Sequence, residues 1–269
     1  MEQNSHNIQT GIKTFELFKI FLRSLFIQAS FTYKDKLSVG FAFCLIPGLK
    51  HISNNCEHFW QLLTHHSCYF NTHPYLASYI IGAVLSLEKR IEKSPAEEFP
   101  DIETVKVRLA GALGSLGDRL FWKYLKPFSS LVGLSIVFLF YNQFPWNWIG
   151  GILCFLILYN SVHLFYRWNG IALGYKSGQN LIKSRTIVWI EKINFILACA
   201  SLTVLGILVI LEGKLIATHS YSGVIIFITA GLTAFFINYK KIFPFFGIIA
   251  GLLSAILLFG IFYWLGIEL

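Results

Sequence analysis

Long apolar runs dominate the C-terminal half of this 269-residue chain, whereas polar and apolar positions alternate more finely in the N-terminal half. The change comes near Pro127. Beyond it, five runs each approach the ~20 residues with which a helix crosses the hydrocarbon core of a bilayer. They are residues 128–144, 148–166, 195–211, 222–239 and 245–265. The pattern therefore predicts about five hydrophobic helical segments in residues 127–269.

The N-terminal part, residues 1–126, holds shorter apolar stretches. Residues 15–26 and 39–49 are too short to span a bilayer alone, and residues 71–87 are mostly apolar. Such segments are typical of surface-lying helices, re-entrant hairpins or helices buried against a partner. Residues 92–103 combine two prolines with several acids and indicate a solvated loop. We expect an all-α, polytopic helical membrane protein whose residues 1–126 form amphipathic or re-entrant helices.

Composition supports lipid as the solvent. Hydrophobic residues make up 55% of the chain and charged residues 13%, about half the charged fraction of a soluble domain. Aromatic residues make up 17%, and many lie near the ends of apolar runs, as interfacial aromatic side chains do. The net charge of +8 raises the question of nucleic acid. The basic residues are scattered and form no continuous stripe, so nucleic-acid binding is not expected.

The distribution of basic residues predicts an orientation in the membrane. Charge-rich and charge-poor connections alternate between the apolar runs, as the positive-inside rule requires. In chain order, the basic residues that flank the runs are Arg119, Lys123 and Lys126, then Arg167, Lys176, Lys183, Arg185 and Lys192, then Lys214, then Lys240 and Lys241. We expect a cytoplasmic N-terminal half and a C-terminus on the outer side. Residues 1–10 are polar and predict no cleavable signal peptide.

Histidine and cysteine residues concentrate between residues 51 and 73. The seven potential ligands are His51, Cys56, His58, His65, His66, Cys68 and His73. Soft ligands of this kind can bind zinc or copper, but their spacing is irregular and lacks a paired motif. A metal-binding membrane protein therefore stays an alternative, and no metal is assigned. The five cysteines are odd in number, and three lie in apolar runs, which argues against a disulfide framework.

Four segments carry a resemblance to a known family: residues 23–50, 65–90, 106–127 and 159–182. The sharpest elements are Phe70-Asn71-Thr72-His73-Pro74 followed by Gly82 and Glu88, then Lys106, Gly111, Gly114 and Gly117-Asp118, and finally Gly174-Tyr175-x-x-Gly178. In this order and spacing, they resemble the IID component of the mannose/fructose/sorbose-family phosphotransferase system (PTS). The resemblance covers nearly the whole chain.

The resemblance implies a non-enzymatic membrane subunit of the bacterial cytoplasmic (inner) membrane. It implies a IIC membrane subunit as partner, and soluble IIA and IIB proteins that pass a phosphoryl group from phosphoenolpyruvate to the incoming sugar. The implied function is translocation of a hexose or amino-hexose, with no catalytic residue and no cofactor on this chain. The chain departs from the family at Thr32-Tyr33-Lys34-Asp35, at Ala110-Gly111-Ala112 and at Arg119. The alternative is therefore a divergent IID-like protein with a regulatory or non-transport role in an incomplete system.

The expected sugar-binding residues are polar side chains that interrupt the apolar pattern and their small neighbours. They are Asn71, Thr72, His73, Gly117, Asp118, Gln28 and Tyr175. Asn and Thr side chains can donate hydrogen bonds to sugar hydroxyls and accept them; alternatively, the triplet that begins at Asn71 caps a helix starting near Tyr75. Asp118 contacts a sugar hydroxyl or pairs with Arg119 or Lys123. Gln28 and Tyr175 are either packing or cavity residues.

Three further charged residues are expected to meet water or headgroups. For Glu88 and Lys106 we expect solvated salt bridges at the cytoplasmic edge. Arg167 closes the second apolar run, and we expect its side chain to extend to the headgroups.

Overall fold

The computed structural model describes residues 14–94, 98–140 and 146–219, which are mainly helical. Eight α-helices lie in these ranges: α1 (Thr14–Ser24), α2 (Ser38–Ile52), α3 (Cys56–His65), α4 (Ala77–Lys93), α5 (Ile102–Gly117), α6 (Lys126–Leu139), α7 (Asn147–Ser177) and α8 (Arg185–His219). A π-helical stretch, Asp118–Leu125, joins α5 to α6, and a 3₁₀ turn, Gly178–Lys183, joins α7 to α8. The prediction of an all-helical fold is confirmed for these residues.

The chain divides into two compact units, Met1–Ser201 and Leu202–Leu269. Within the second unit the structure describes only the continuation of α8 to His219. The predicted boundary between residues 126 and 127 falls where the π-helical stretch meets α6, and this division stays a prediction.

Two helices of the described ranges are long and apolar enough to cross a membrane, Trp148–Lys183 and Ile187–Leu208. They contain the predicted run 148–166 and most of the run 195–211. The run 128–144 coincides with α6 up to Leu139, and part of it lies outside the described residues. The runs 222–239 and 245–265 lie wholly outside them. The count of about five segments therefore stays a prediction.

Helices α4 and α7 form the centre of the first unit, and glycines set their spacing. A Cβ on Gly82 would overlap the carbonyl oxygen of Ile171, and one on Gly174 would overlap the carbonyl oxygen of Tyr79. Lipid provides no hydrophobic drive between helices, so close backbone approach and dispersion must hold such a pair together. Two of the glycines on which the family resemblance depends are thus explained by packing.

A hydrogen bond that depends on Pro47 connects helices α1 and α2. Pro47 lies inside α2 and has no N–H, so the carbonyl oxygen of Phe43, four residues earlier, loses its intrahelical donor. Nη1 of Arg23, near the end of α1, donates to this oxygen at 2.9 Å. The guanidinium also lies 4.4 Å from the centre of the Phe43 ring. Arg23 therefore satisfies the carbonyl that Pro47 leaves free.

The expected solvent or headgroup exposure of Glu88, Lys106 and Arg167 is wrong, because all three side chains are buried. Glu88 accepts or shares a proton with Nε2 of His66 at 2.8 Å, and Lys106 pairs with Glu103 in the preceding turn of α5. Nη1 of Arg167 donates to the carbonyl oxygen of Ser24, the last residue of α1. A charge can stay buried when a protein partner replaces water; the partners of Glu88 and Arg167 come from distant segments, and that of Lys106 from its own helix.

Candidate functional site

Three of the four family-like segments meet at one place, which we call the motif junction and define as residues 32–37, 70–73 and 110–122. The N–H of Leu37 donates to the carbonyl oxygen of Phe70 at 2.9 Å. The hydroxyl of Thr72 donates to the carbonyl oxygen of Ala110 at 2.9 Å. These bonds connect the loop before α2, the segment before α4 and the middle of α5. The junction therefore gathers residues that are far apart in sequence.

Backbone strain marks the first of these segments. Lys36 has a φ of +56°, in the left-handed region that residues with a Cβ seldom adopt. The N–H of Lys36 donates to the carbonyl oxygen of Thr32 at 3.0 Å, and the reverse bond between the same two residues is 3.2 Å long. This pair of bonds closes the turn, and the bond from Leu37 to Phe70 places the turn beside Phe70 and so beside Asn71.

His73 is the buried centre of the junction. Its ring stacks on Phe121 with centroids 4.9 Å apart and planes inclined by 11°. Nδ1 of His73 accepts from the N–H of Tyr75 at 3.4 Å, so the proton of the neutral ring lies on Nε2. Burial, reinforced by the charge of Arg167, lowers the pKa of His73 from 6.5 to about 4. His73 is therefore neutral at physiological pH.

The Nε2 atom of His73 is buried and has no hydrogen-bond partner among the described residues. A buried donor left without an acceptor costs about 1–3 kcal/mol. An acceptor supplied by a ligand, a water molecule or a partner subunit would remove this cost. The atom is thus the clearest point at which the junction can bind something else.

Gly117 gives His73 its place. A Cβ on Gly117 would overlap Cβ and Cγ of His73. At Gly114 the added atom would meet Thr72 only at an ordinary contact distance of 3.7 Å, and at Gly111 it would meet nothing within 4 Å. Of the three glycines spaced by three residues, only Gly117 is required by close approach, and the approaching group is the His73 side chain.

The predicted site residues fall into two groups. Asn71, Thr72, His73, Gly117 and Asp118 come together at the motif junction, where Asn71 and Asp118 are exposed and the other three are buried. In the described part of the chain no hydrogen bond or ring contact joins Gln28 or Tyr175 to this group. Gln28 is exposed in the turn after α1, and Tyr175 is half-buried in α7.

The structure also bears on two alternatives for these residues. The N-cap of α4 is Leu76, without a side-chain capping bond, and the Thr72 hydroxyl binds α5 instead. The polar triplet therefore makes no side-chain bond at the N-cap of α4, although the His73 ring accepts from the N–H of Tyr75 in the turn that precedes this helix. Asp118 forms no ion pair within the described ranges, whereas Arg119 lies 3.5 Å from Glu191. The carboxylate of Asp118 is available at the surface.

An aromatic cluster behind His73 was not predicted. Tyr75 stacks on His163 with ring centroids 4.5 Å apart, and the Tyr75 ring lies 5.2 Å from the guanidinium of Arg167. Tyr159, which like His163 and Arg167 lies on α7, has its hydroxyl 3.5 Å from that of Tyr75. The spacing of three of these residues could have predicted the cluster. Residues 159, 163 and 167 recur every four positions and so share one face of a helix.

The His and Cys residues between 51 and 73 do not assemble as one site in the described structure. Only His65 and His66 come together, where Glu88 joins them with potential ligand atoms within 4.8 Å of one another. His73 lies instead in the aromatic environment of Phe121. Within this group, the buried bond between His66 and Glu88 connects the turn after α3 to helix α4.

Comparison with known proteins identifies the family. A family model described as the IID component of the PTS mannose/fructose/sorbose family matches residues 11–268. The sorbose-specific EIID component of Lacticaseibacillus casei is 31% identical over 205 residues, which cover 76% of this chain and 70% of that protein. The mannose-specific EIID component of Escherichia coli strain K12 is 30% identical over 191 residues, which cover 71% of this chain and 65% of that protein.

Solved structures agree with this result. One, described only as a membrane protein, is 29% identical with a TM-score of 0.62 and covers 74% of this chain and 70% of its own. The cryo-EM structure of the mannose transporter ManYZ with microcin E492 covers 96% of this chain and 98% of its own at 24% identity, and its TM-score of 0.54 shows a shared fold. The predicted family resemblance is therefore confirmed, and the chain belongs to the mannose/fructose/sorbose family of IID components, the membrane subunits of PTS transporters.

Proposed function

We propose that this chain acts with a IIC subunit to translocate a hexose or amino-hexose, which soluble IIA and IIB proteins phosphorylate at the expense of phosphoenolpyruvate. Relatives specific for sorbose and mannose support a sugar of this class. In this proposal the phosphoryl group never resides on this chain. The chain instead supplies part of the path along which the sugar moves.

The observation that carries the proposal is the unused Nε2–H of His73 beside two exposed polar side chains. Sugar hydroxyls both donate and accept hydrogen bonds, so they match the amide of Asn71 and the carboxylate of Asp118. A hydroxyl oxygen could also accept from Nε2 of His73. We assign the sugar contacts to Asn71, His73 and Asp118, with Thr72 and Gly117 fixing their positions.

One cavity borders the α5 part of the motif junction and is lined there by Leu113, Leu116 and Arg119. Asn71, His73 and Asp118 do not line it or the two other cavities described for the chain, which supports a sugar site completed by a second subunit. Binding sites of transporters commonly form where structural repeats or subunits meet near the bilayer midplane. We therefore place the IIC subunit against the exposed side of the motif junction. Gln28 and Tyr175 remain predicted site residues, and a sugar-uptake assay of their variants provides the test.

We further propose that the chain is a multi-pass protein of the bacterial cytoplasmic membrane, with a cytoplasmic N-terminal half and an outward C-terminus. The alternating basic connections support this orientation. IIA and IIB would then approach the cytoplasmic side, where phosphoenolpyruvate is available.

Sugar uptake tests the proposal in cells that lack other mannose-family systems and express this chain with its IIC, IIA and IIB proteins. We expect uptake of labelled mannose, sorbose or glucosamine. In Asn71→Ala and in Asp118→Asn the rate of uptake should fall about tenfold, which corresponds to the loss of about one neutral or charge-assisted hydrogen bond to the sugar. Asn180→Ala is the matched control, because Asn180 is exposed outside the junction.

The outcome also separates the two roles considered for the chain. Uptake that depends on this chain but is unchanged in both variants would refute the assigned contacts. A complex that assembles with the IIC subunit and transports none of these sugars would favour the regulatory role. Detergent melting curves of each variant establish that loss of uptake does not reflect unfolding.

A further inference from the structure

A cationic cleft lies between α1 and α2, apart from the motif junction. The cavity has a volume of about 370 Å³ and is lined by Glu16, Lys19, Arg23, Ile46, Pro47, Lys50 and His51. This volume is within the range of small-ligand sites, about 300–1,000 Å³. Three permanent cations face one carboxylate, so the lining carries an excess of two positive charges at neutral pH.

The described structure leaves much of this charge available. Nζ of Lys19 lies 3.0 Å from Glu16, and this pair is the only one of opposite charge in the lining. One nitrogen of Arg23 serves the carbonyl of Phe43, which leaves its other N–H donors. Lys50 is exposed and lies 5.7 Å from the Phe59 ring. An anion in the cleft would therefore be the main counter-charge for Arg23 and Lys50.

Apolar surface borders the cleft along α1. Phe15, Phe18 and Leu22 are exposed, and at 100° per residue they occupy the helix face next to that of Lys19 and Arg23. Nζ of Lys19 lies 4.3 Å from the centre of the Phe15 ring. A basic face beside an exposed apolar face is typical of a helix that lies in the membrane interface.

Helix α1 also contacts a tryptophan of α7. The rings of Phe18 and Phe21 meet Trp168 of α7 edge-on, with centroids 6.3 and 5.3 Å apart. Trp168 comes two residues after the end of the apolar run 148–166, and tryptophan is enriched at the boundary between hydrocarbon and headgroups. The contact with Trp168 therefore supports a position of α1 near that boundary.

We propose that the cleft between α1 and α2 binds the phosphate of an anionic phospholipid, whose acyl chains lie along Phe15, Phe18 and Leu22. Lys19, Lys50 and the free donors of Arg23 hold the phosphate oxygens. Basic pockets between helices at the cytoplasmic surface are suited to anionic headgroups. The bound lipid would connect the two helices that Arg23 and Pro47 already join.

The test compares lipid binding by the full purified chain and two matched double variants, with native mass spectrometry and melting curves as readouts. Lys19→Gln/Lys50→Gln removes two cleft charges, and Lys123→Gln/Lys192→Gln removes two exposed charges outside it. For phosphatidylglycerol we expect affinity to fall about 25-fold in the first variant, at about fivefold per cation. In the second variant we expect a change below about twofold, since neither removed charge lines the cleft and exposed charges are screened by salt. Phosphatidylcholine serves as the neutral lipid.

A variant with the opposite sign protects the test against misfolding. Glu16→Gln removes the carboxylate of the cleft and should tighten phosphatidylglycerol binding about fivefold, which damage to the fold would not produce. Equal losses in both double variants would overturn the site in favour of general surface attraction. Inorganic phosphate that stabilises the chain as much as the lipid does would overturn the assignment to a lipid and identify a free anion as the ligand.

Discussion

At the scale of single residues, the ionisation of His73 links the site to pH. The pKa of His73 is about 4 in the folded chain, against 6.5 for an exposed histidine, because burial disfavours the charged ring. Between these two pH values, the unfolded chain binds a proton at this residue and the folded chain does not. The free energy of unfolding is therefore at its full value above pH 6.5, and it decreases as the pH falls from 6.5 towards 4.

We expect His73 protonation to cost about 3 kcal/mol of unfolding free energy over this interval, from ~1.4 kcal/mol per pKa unit. His73→Gln removes the titrating group, so its unfolding midpoint should depend less on pH than that of the parent chain. Unfolding in detergent at a series of pH values from neutral to acidic measures both. Parallel pH profiles for the two proteins would contradict the assignment of a buried neutral ring.

Gly111 and Gly117 provide a pair of identical substitutions with opposite expected signs. In Gly117→Ala the added methyl overlaps His73, and overpacking of this kind costs about 1–3 kcal/mol. In Gly111→Ala the methyl meets nothing within 4 Å, so the helix gains up to about 1 kcal/mol from the better propensity of alanine. Melting temperatures of the two variants provide the measurement, and equal shifts would refute the contact between Gly117 and His73.

The structure brings together five of the seven predicted site residues, and their role in sugar binding stays a prediction. Asn71 to His73 lie beside Gly117 and Asp118, as the shared family pattern suggested. The buried state of Glu88 and Arg167 could not be predicted, because each depends on one atom of a distant segment, Nε2 of His66 and the carbonyl of Ser24. A single sequence contains no record of such pairings, so the solvated alternative was preferred.

At the scale of helices, the contact between α1 and α2 depends on the missing N–H of Pro47. In Pro47→Ala, the new N–H can donate to the carbonyl of Phe43, so the bond from Arg23 loses most of its value. We expect Arg23→Ala to destabilise the parent chain by about 1 kcal/mol more than it destabilises the Pro47→Ala chain. A double-mutant cycle of unfolding free energies measures this coupling.

Lys19→Ala is the control for that cycle, because Lys19 lies on the same helix and bonds to Glu16 rather than to α2. Its effect should be the same with proline or alanine at position 47. Coupling as large for Lys19 as for Arg23 would mean that the proline acts through the general geometry of α2 and not through the freed carbonyl.

Helix positions were predicted best where the apolar pattern is long. The run 148–166 lies wholly in α7, and residues 39–49 lie in α2, whereas α4 begins at Ala77, six positions later than the apolar stretch suggested. Pro74 explains this delay, since a proline keeps the preceding residue out of the helical region. Helix α3 was not predicted, because its ten residues include several polar side chains.

At the scale of the whole molecule, the order of basic connections predicts which side of the membrane each connection faces. The connection between α7 and α8 ends with Lys183 and Ser184, and Arg185 begins α8. After the next apolar run, 195–211, the only lysine or arginine before the run 222–239 is Lys214, which lies in the last part of α8. Retention of Lys and Arg on the cytoplasmic side then gives a cytoplasmic connection followed by an outer one. By the same rule, Lys240 and Lys241, which are outside the described residues, predict a return of the chain to the cytoplasm.

Reporter fusions test this order directly. Alkaline phosphatase, active only outside the cytoplasm, should be active when fused after Lys214 or Leu269 and inactive after Lys183 or Lys241, and green fluorescent protein should give the inverse pattern. If the reporter activities were reversed at every fusion position, the predicted orientation would be inverted and the predicted number of spans would stay the same. Reversal at Leu269 alone would remove one of the two predicted C-terminal spans. Because cytoplasmic IIA and IIB must reach this subunit, a fully inverted chain could not serve the proposed transport reaction, and orientation and function are therefore tested together.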